Sequence, residues 1–183
     1  MPYNELDTIE RLKKADTRER AFAEVVRQYQ EPLYWKIRHF VFSHEDANDV
    51  LQNTFIKAWT HLDDFRNESK FGTWLHRIAI NESLDFIRRQ KEVVTLDPAV
   101  KADLSSKLLA DSYFNGDKAQ ALLLEAVDTL PEVQRMVFTL RYFDEMHYAE
   151  MSQILSTSEG ALKASYHLAV KKITSYIKRH QDD

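Results

Sequence analysis

The chain has 183 residues, a net charge of −4, three glycines, four prolines and no cysteine. The absence of cysteine excludes disulfides, thiolate metal ligands and cysteine nucleophiles, and the scarcity of glycine and proline favours a helical protein with few turns. The first residues mix charges and lack an apolar core, and no apolar stretch is long enough to span a bilayer. We therefore expect a cytoplasmic protein that does not insert into a membrane.

Helical periodicity runs through residues 18–91 almost without interruption. It breaks near Phe42–His44 and again at residues 61–70, so we predict three helices in this stretch and a shorter one before it. No strand-like alternation persists anywhere in the sequence. This pattern predicts an all-α fold.

A second feature divides the chain into two parts. Residues 92–120 contain proline, serine, asparagine and glycine, which are typical of a linker. The helical pattern resumes at Ala121, and Pro131 marks a further helix start because proline in a first turn loses no hydrogen bond. We predict two small helical domains, residues 1–91 and 121–183, joined by this linker.

The modest net charge hides an uneven distribution. Acidic residues are in excess in residues 45–65 and 93–128, and basic residues are in excess in residues 66–92. Residues 160–181 contain five basic residues and no acidic one. Acidic and basic functions are therefore expected on separate segments.

Residues 43–62 predict an amphipathic helix with two contrasting faces. At about 100° per residue, one face is a core stripe, made of Ala47, Leu51, Thr54, Phe55, Ala58 and Leu62. The other face combines carboxylates, amides and one isoleucine, namely Asp46, Asp49, Gln52, Asn53 and Ile56. An aliphatic side chain among carboxylates suits a partner-binding surface, although an ordinary solvated face is the alternative.

The next helix is basic along one flank. Its apolar stripe consists of Phe71, Trp74, Leu75, Ile78, Ala79 and Phe86, and Ser69 is expected to cap it. Arg77, Asn81 and Arg88 align along this flank, with Trp74 adjoining them. Proteins that bind single-stranded DNA hold phosphates with cations and stack unpaired bases on aromatic rings. The preceding loop adds four residues that could hold a flipped base, namely Phe65, Arg66, Asn67 and Lys70. Alternatively, Trp74 is a core residue and the arginines only complement the helix dipole.

Residues 147–177 predict a helix-turn-helix, with Ser156 at a turn position that often needs glycine. The second helix is expected to bury a stripe made of Ala161, Leu162, Leu168, Ala169 and Ile173. Its outward residues could supply base-edge donors and phosphate charge, and they are Lys163, Ser165, Tyr166, His167, Lys171 and Lys172. A charged helical hairpin without DNA-binding activity is the alternative.

Enzyme chemistry finds no support. The seven histidines are scattered, and His39 and His44 are not spaced to place two metal ligands on one helical face. There is no glycine-rich phosphate loop, and no Ser, His and Asp set can be singled out. We therefore predict a protein that is not an enzyme and that has no catalytic residue, no metal site and no cofactor.

The order of these segments resembles the extracytoplasmic-function (ECF) sigma factors of the sigma-70 family. The resemblance rests on three ordered motifs and covers roughly residues 21–178. The first motif is Asp46-Ala47-x-Asp49-x-x-Gln52-x-x-Phe55. The second is Phe71-x-x-Trp74-Leu75-x-x-Ile78-Ala79-x-Asn81-x-x-x-Asp85-x-x-Arg88-Arg89. The third is Leu130-Pro131-x-x-x-Arg135-x-Val137-Phe138-x-Leu140-Arg141-Tyr142-Phe143, followed by Ser158-x-Gly160-x-x-Lys163. The second helix of the predicted helix-turn-helix departs from the family pattern, since Ser165, His167 and Leu168 stand at positions that are often basic or polar in the family.

The resemblance implies a role for each segment. The acidic face of Asp46, Asp49, Gln52, Asn53 and Ile56 would dock on the clamp helices of the largest catalytic subunit of bacterial RNA polymerase core. The minus-ten element would be captured by Phe65, Arg66, Asn67, Lys70, Trp74, Arg77, Asn81 and Arg88. The minus-thirty-five element would be read by Ser158, Lys163, Ser165, Tyr166, His167, Lys171 and Lys172.

The same resemblance implies a function and further partners. The chain would be a sigma factor that directs promoter-specific transcription initiation, with an anti-sigma factor as inhibitor. The C-terminal domain would be a four-helix, winged-helix-like helix-turn-helix domain, and the linker would thread the polymerase active-site cleft. A stand-alone helix-turn-helix repressor or activator is the alternative, because the C-terminal half alone would suffice for it.

Overall fold

The computed structural model describes residues 3–96, 108–112, 114 and 116–181, without the side chains of residues 91–96 and 181. Within these ranges every regular element is helical, and a short 3₁₀ helix at Leu62–Asp64 follows α3. The α-helices are α1 (Glu5–Leu12), α2 (Arg18–Arg38), α3 (His44–Thr60), α4 (Phe71–Leu96), α5 (Lys118–Asp128), α6 (Glu132–Tyr142), α7 (Tyr148–Leu155) and α8 (Glu159–Gln181). The prediction of three helices in residues 18–91 with a shorter one before them is confirmed.

The described chain forms two compact units. One consists of Met1–Val41 and Glu45–Phe86, and the other of Phe42–His44 and Ile87–Asp183. Residues 97–107, 113 and 115 of the predicted linker lie outside the described residues, and its first residues continue α4 to Leu96. Its last residues already belong to α5, because the Asp117 side chain accepts a hydrogen bond from the Gln120 N–H at 2.9 Å and so starts the helix before Ala121.

The first unit is held by apolar stripes at helical spacing. On α2, Ala21, Val25, Leu33 and Ile37 are fully buried, four or eight residues apart along one face. On α3, Ala47, Thr54 and Ala58 of the predicted stripe are buried, while Leu51 and Phe55 are half-buried at its edge. Val50 is buried as well, because it lies within one turn of both Ala47 and Thr54.

The second unit contains the predicted helix-turn-helix. Its core includes Ala121, Ala126, Val127, Leu130, Phe138, Ala169 and Ile173, together with Phe42 and Leu108. The turn between α7 and α8 passes through Ser156 at φ 51° and ψ 41°, which is left-handed backbone. Glycine adopts this conformation more easily than serine, which agrees with the expectation that the turn often carries glycine at this position.

One part of the predicted buried stripe of α8 is wrong. Leu162, Ala169 and Ile173 are buried as predicted, but Ala161 is exposed and Leu168 is 47% exposed. The reason is helical geometry: neighbouring residues are about 100° apart, so Leu168 points well away from the line through Ala169 and Leu162. Leu168 therefore belongs to the outer surface of the helix.

Candidate partner-binding and nucleic-acid interfaces

The acidic face of α3 is exposed as a continuous surface. Asp49, Gln52 and Asn53 are exposed and Asp46 is half-buried, so the four polar residues predicted for a partner lie on the outer side of the helix. Ile56 is 56% exposed between them and the end of α3. A large apolar side chain ringed by carboxylates and amides has the composition of a small interface core with a polar rim.

Trp59 extends this surface and was missed by the sequence analysis. It is 40% exposed and lies three residues beyond Ile56, on the same side of α3. Its ring packs edge-on against Phe22 at 5.0 Å between centroids, and the Arg18 guanidinium lies 6.0 Å from the ring centroid. The spacing from Ile56 was the available signal, but a tryptophan beside a helical core is usually assigned to the core.

The basic helix begins at an aromatic cluster. The rings of Phe65, Phe71 and Trp74 lie 5.2 to 5.3 Å apart between centroids. Phe71 is buried, while Phe65 and Trp74 are half-buried. Trp74 therefore contributes to the core and keeps part of its ring accessible, so the two interpretations of this residue are compatible.

The loop before α4 is exposed and sharply bent. Arg66, Asn67 and Lys70 are exposed, and Asn67 adopts φ 57°, a left-handed conformation that asparagine tolerates better than most residues. Two exposed cations and an exposed amide thus lie in the loop that begins at the half-buried Phe65. This arrangement suits an unpaired base together with its phosphate.

The N-terminus of α4 is bound by a residue from α1. The Phe71 N–H donates to Oε1 of Glu5 at 3.1 Å, and the Tyr29 hydroxyl donates to Oε2 of the same carboxylate at 2.9 Å. Burial, followed by the hydrogen bond to Glu5, raises the pKa of Tyr29 above its ordinary value, so the hydroxyl remains a donor. Ser69, the predicted cap, donates its hydroxyl to the Lys70 carbonyl oxygen at 3.3 Å.

Further along α4 the predicted DNA-binding residues differ in exposure. Asn81 and Arg88 are exposed and Arg77 is half-buried. Arg88 Nε lies 2.7 Å from Oε1 of Glu132, a contact within the second unit. Arg88 therefore has an acidic partner that the sequence analysis did not identify, and DNA would have to compete with it.

Glu82 is an unexpected buried acid on α4. Its side chain is 8% exposed and forms an ion pair with Lys57 of α3. The pair links the acidic helix to the basic helix, since the lysine sits one residue after Ile56. Local sequence patterns do not predict this burial, because a glutamate beside Asn81 is expected on the solvated flank of the helix.

The predicted outward residues of α8 separate into two groups. Lys163, His167, Lys171 and Lys172 are exposed, whereas Ser165 and Tyr166 are half-buried. The Tyr166 ring stacks on Phe138 at 5.9 Å between centroids, and its burial raises its pKa. Ser158 accepts a hydrogen bond from the Ala161 N–H at 3.3 Å and so caps the helix that carries the lysines.

The exposed apolar residues of α8 lie beside these lysines. Ala161, Ala164 and Leu168 follow one another at spacings of three and four residues, and all three are exposed. Lys163 lies 3.7 Å from the Glu159 carboxylate and 5.6 Å from the Tyr148 ring centroid. The outer surface of α8 therefore combines cationic and apolar side chains, which can contact phosphates and thymine methyl groups respectively.

The described residues contain neither a membrane-spanning helix nor a metal-binding cluster. Among the described residues, none of the helices combines the length and the apolar character required to cross a bilayer. Nor do the described residues bring together three or more histidine, aspartate or glutamate side chains that could hold a metal ion.

Sequence comparisons relate both units to known proteins. Residues 25–93 match the family described as Sigma-70 region 2, and residues 120–173 match Sigma-70, region 4. The chain is 32% identical over 168 residues to the ECF RNA polymerase sigma factor SigW of Bacillus subtilis, covering 87% of this chain and 89% of that protein. It is 30% identical over 165 residues to the ECF RNA polymerase sigma-E factor of Escherichia coli K12, covering 85% of each chain.

Solved structures show the same fold. The sigma factor RpoE of Bartonella quintana, solved with the anti-sigma factor NepR, matches with a TM-score of 0.64 and 21% identity over 86% of this chain and 96% of that one. CnrH, solved with the cytosolic domain of CnrY, matches with a TM-score of 0.63 and 24% identity over 94% of this chain and 97% of that one. The predicted all-α fold with two helical domains is confirmed.

Proposed function

Since this chain belongs to the ECF RNA polymerase sigma factors, we propose how its surfaces share the binding of core polymerase and the selection of a promoter. A sigma factor directs transcription initiation, while the polymerase makes the RNA. The alternative of a stand-alone helix-turn-helix regulator is not favoured, because the matches include region 2 as well as region 4. In this proposal residues 1–91 form region 2, residues 92–120 the linker and residues 121–183 region 4.

The acidic face of α3 is proposed to dock on the clamp helices of the largest polymerase subunit. The observation that carries this proposal is Ile56, which is 56% exposed beside Asp49, Gln52 and Asn53. An exposed isoleucine gains most from burial against a partner, and the carboxylates steer a basic partner surface into place. Asp46 contributes at the edge of this surface.

Titration of labelled sigma with core polymerase tests the docking face. Asp49→Ala should weaken holoenzyme formation about tenfold and Ile56→Ala about fivefold, since both side chains would be desolvated at the interface. Asp16→Ala is the matched control, because it removes an exposed carboxylate between α1 and α2. Equal affinity of all variants would refute this surface.

The loop and basic helix are proposed to capture the melted minus-ten element. Arg66 and Lys70 supply phosphate charge, Phe65 and Trp74 supply ring surface, and Asn67 supplies an amide for the edge of an unpaired base. Arg77, Asn81 and Arg88 would continue the contact along α4. The test measures binding of holoenzyme to a fluorescent minus-ten single strand. Arg66→Ala and Lys70→Ala should each weaken binding and reduce the slope of log affinity against log salt by about 0.7. Lys13→Ala should change neither quantity.

The helix α8 is proposed to read the minus-thirty-five element as duplex. Lys163, His167, Lys171 and Lys172 face outward for phosphate and base-edge contacts, while Ser158 caps the helix. Ser165 and Tyr166 are half-buried and would act mainly by shaping this surface. Footprinting of holoenzyme on a mapped promoter, with and without Lys163→Ala, tests this role; unchanged protection upstream would contradict it.

An anti-sigma factor is proposed as a further partner. RpoE of Bartonella quintana was solved with an anti-sigma factor, and CnrH with the cytosolic domain of CnrY. If the neighbouring gene encodes a single-span membrane protein, its cytoplasmic domain should copurify with this chain and block promoter-dependent transcription by the holoenzyme. If promoter-dependent transcription is unchanged at a saturating concentration of that cytoplasmic domain, the protein is excluded as the inhibitor.

A further inference from the structure

We propose that Glu5 is a positioning residue for minus-ten recognition: its carboxylate fixes the first turn of α4 and thereby the loop of residues 65–70. The inference rests on the proposed function of that loop. Glu5 itself lies outside the loop and outside the predicted DNA-binding set. It acts through the backbone that carries Phe71.

Both carboxylate oxygens of Glu5 are used. Oε1 accepts from the Phe71 N–H at 3.1 Å and Oε2 accepts from the Tyr29 hydroxyl at 2.9 Å. Phe71 opens α4 and its ring contacts both Phe65 and Trp74. A shift of the Phe71 backbone would therefore move the aromatic cluster that borders the loop.

The carboxylate can hold this position because α1 is fixed on α2. Arg11 forms a bidentate pair with Glu24 of α2, at 2.9 and 2.5 Å, and a further bond to Asp7 at 2.9 Å. Thr8 and Leu12 are buried in the same contact. A bidentate pair between a guanidinium and a carboxylate fixes both the distance and the relative orientation of the two groups. The pair therefore holds α1 on α2, with Glu5 in a defined position relative to α4.

The same segment of the chain also holds the other end of the loop. Arg18 Nε donates to the Leu12 carbonyl oxygen at 3.0 Å, and its guanidinium forms an ion pair with Asp63. Asp63 lies in the 3₁₀ helix Leu62–Asp64, directly before the loop. The loop is thus tied at its start through Arg18 and at its end through Glu5, while its central residues stay exposed.

A neighbouring glycine supports this arrangement. A Cβ atom on Gly72 would lie 2.9 Å from the Tyr29 hydroxyl oxygen and 3.1 Å from Cε1 of the same ring. A Cβ atom there would require the Tyr29 hydroxyl to shift, and that hydroxyl is the group that donates to Glu5. Glycine at this position therefore permits the close approach that lets Tyr29 orient the carboxylate.

The experiment compares three bindings of the same variants: sigma to core polymerase, holoenzyme to a minus-ten single strand, and holoenzyme to a minus-thirty-five duplex. Glu5→Ala should weaken single-strand binding about tenfold, the equivalent of one charge-assisted hydrogen bond, and leave the other two unchanged. Glu5→Gln should retain most of the binding, because its amide oxygen still accepts from the Phe71 N–H. Glu10→Ala, an exposed carboxylate on the same helix, is the matched control.

Each other outcome decides against the proposal. Single-strand binding of Glu5→Ala equal to that of the unchanged chain would overturn it, and so would an equal loss in all three bindings, which indicates general damage to the fold. Should Glu5→Ala fail to fold, Tyr29→Phe removes one of the two bonds to Glu5 and must show a smaller loss that is still confined to single-strand binding. If the unchanged holoenzyme does not bind the minus-ten strand at all, the proposed function of the loop fails instead.

Discussion

The ammonium group of Lys57 on α3 is paired with the carboxylate of Glu82 on α4, whose side chain is only 8% exposed. The lysine is 49% exposed, so the pair joins a nearly buried acid to a half-exposed base. Such a pair connects the two helices that carry the proposed polymerase-binding and minus-ten surfaces. Its value for stability is best measured by removing one partner at a time.

Lys57→Ala should lower the free energy of unfolding by about 1–3 kcal/mol, because it leaves the Glu82 carboxylate buried without its cation. The double variant Lys57→Ala with Glu82→Gln should recover part of that loss, since the buried charge is then removed. Urea unfolding measures both effects, with Lys13→Ala as an exposed control. A double variant that is as unstable as the sum of the single changes would show that the two residues do not interact.

Ser156→Gly should raise the free energy of unfolding of the helix-turn-helix unit by about 0.5–1 kcal/mol. Ser156 has φ 51° and ψ 41°, a conformation that costs a non-glycine residue about 1–2 kcal/mol, and glycine recovers this at some entropic cost. Ser175→Gly, within α8, should instead destabilise the unit by a few tenths of a kcal/mol, roughly the difference in helix propensity. Thermal unfolding of both variants checks the contrast in sign.

Lys171→Ala should weaken binding of holoenzyme to every duplex tested, with little change in sequence preference. Lys171 is exposed on α8, where it can contact phosphate. Loss of one phosphate contact should reduce the slope of log affinity against log salt by about 0.9. Lys118→Ala on α5 is the matched control, and an unchanged salt slope in the Lys171 variant would exclude a phosphate contact.

Glu24→Gln should make stability less dependent on pH in the acid range. The hydrogen bonds from Arg11 lower the pKa of Glu24 below its ordinary value of 4.5. A carboxyl with a lowered folded pKa stabilises the fold fully above its unfolded pKa, and this contribution is lost as the pH falls through the folded pKa. Urea midpoints measured from pH 6 downward should therefore fall less steeply for Glu24→Gln, with Glu10→Gln behaving like the unchanged chain.

The helices were predictable from sequence because their signals are local. Apolar spacing located α2 to α4, and the turn pattern marked Ser156 as a position that often carries glycine, where the backbone is left-handed. The acidic face of α3 was predictable for the same reason, since helical geometry alone places Asp49 and Ile56 on the outside.

The contacts that position the sites were not predictable from local patterns. Glu5 and Phe71 are 66 residues apart, and only the packing of α1 brings the carboxylate to the N-terminus of α4, where Ser69 was the expected cap. Leu168 was placed in the core because leucine is usually buried, although its angle on α8 points outward. Tertiary packing overrode the local signal in the first case, and helical geometry overrode it in the second.

The close approach of Gly72 and Tyr29 has a consequence for the evolution of this family. Because a Cβ atom at position 72 would meet the Tyr29 hydroxyl oxygen, a substitution there requires the Tyr29 side chain to shift, and we expect the two positions to be coupled. Relatives that carry a larger residue at 72 should more often differ from tyrosine at 29. Covariation between positions 29 and 72 in an alignment of the family would show this coupling between α2 and the start of α4.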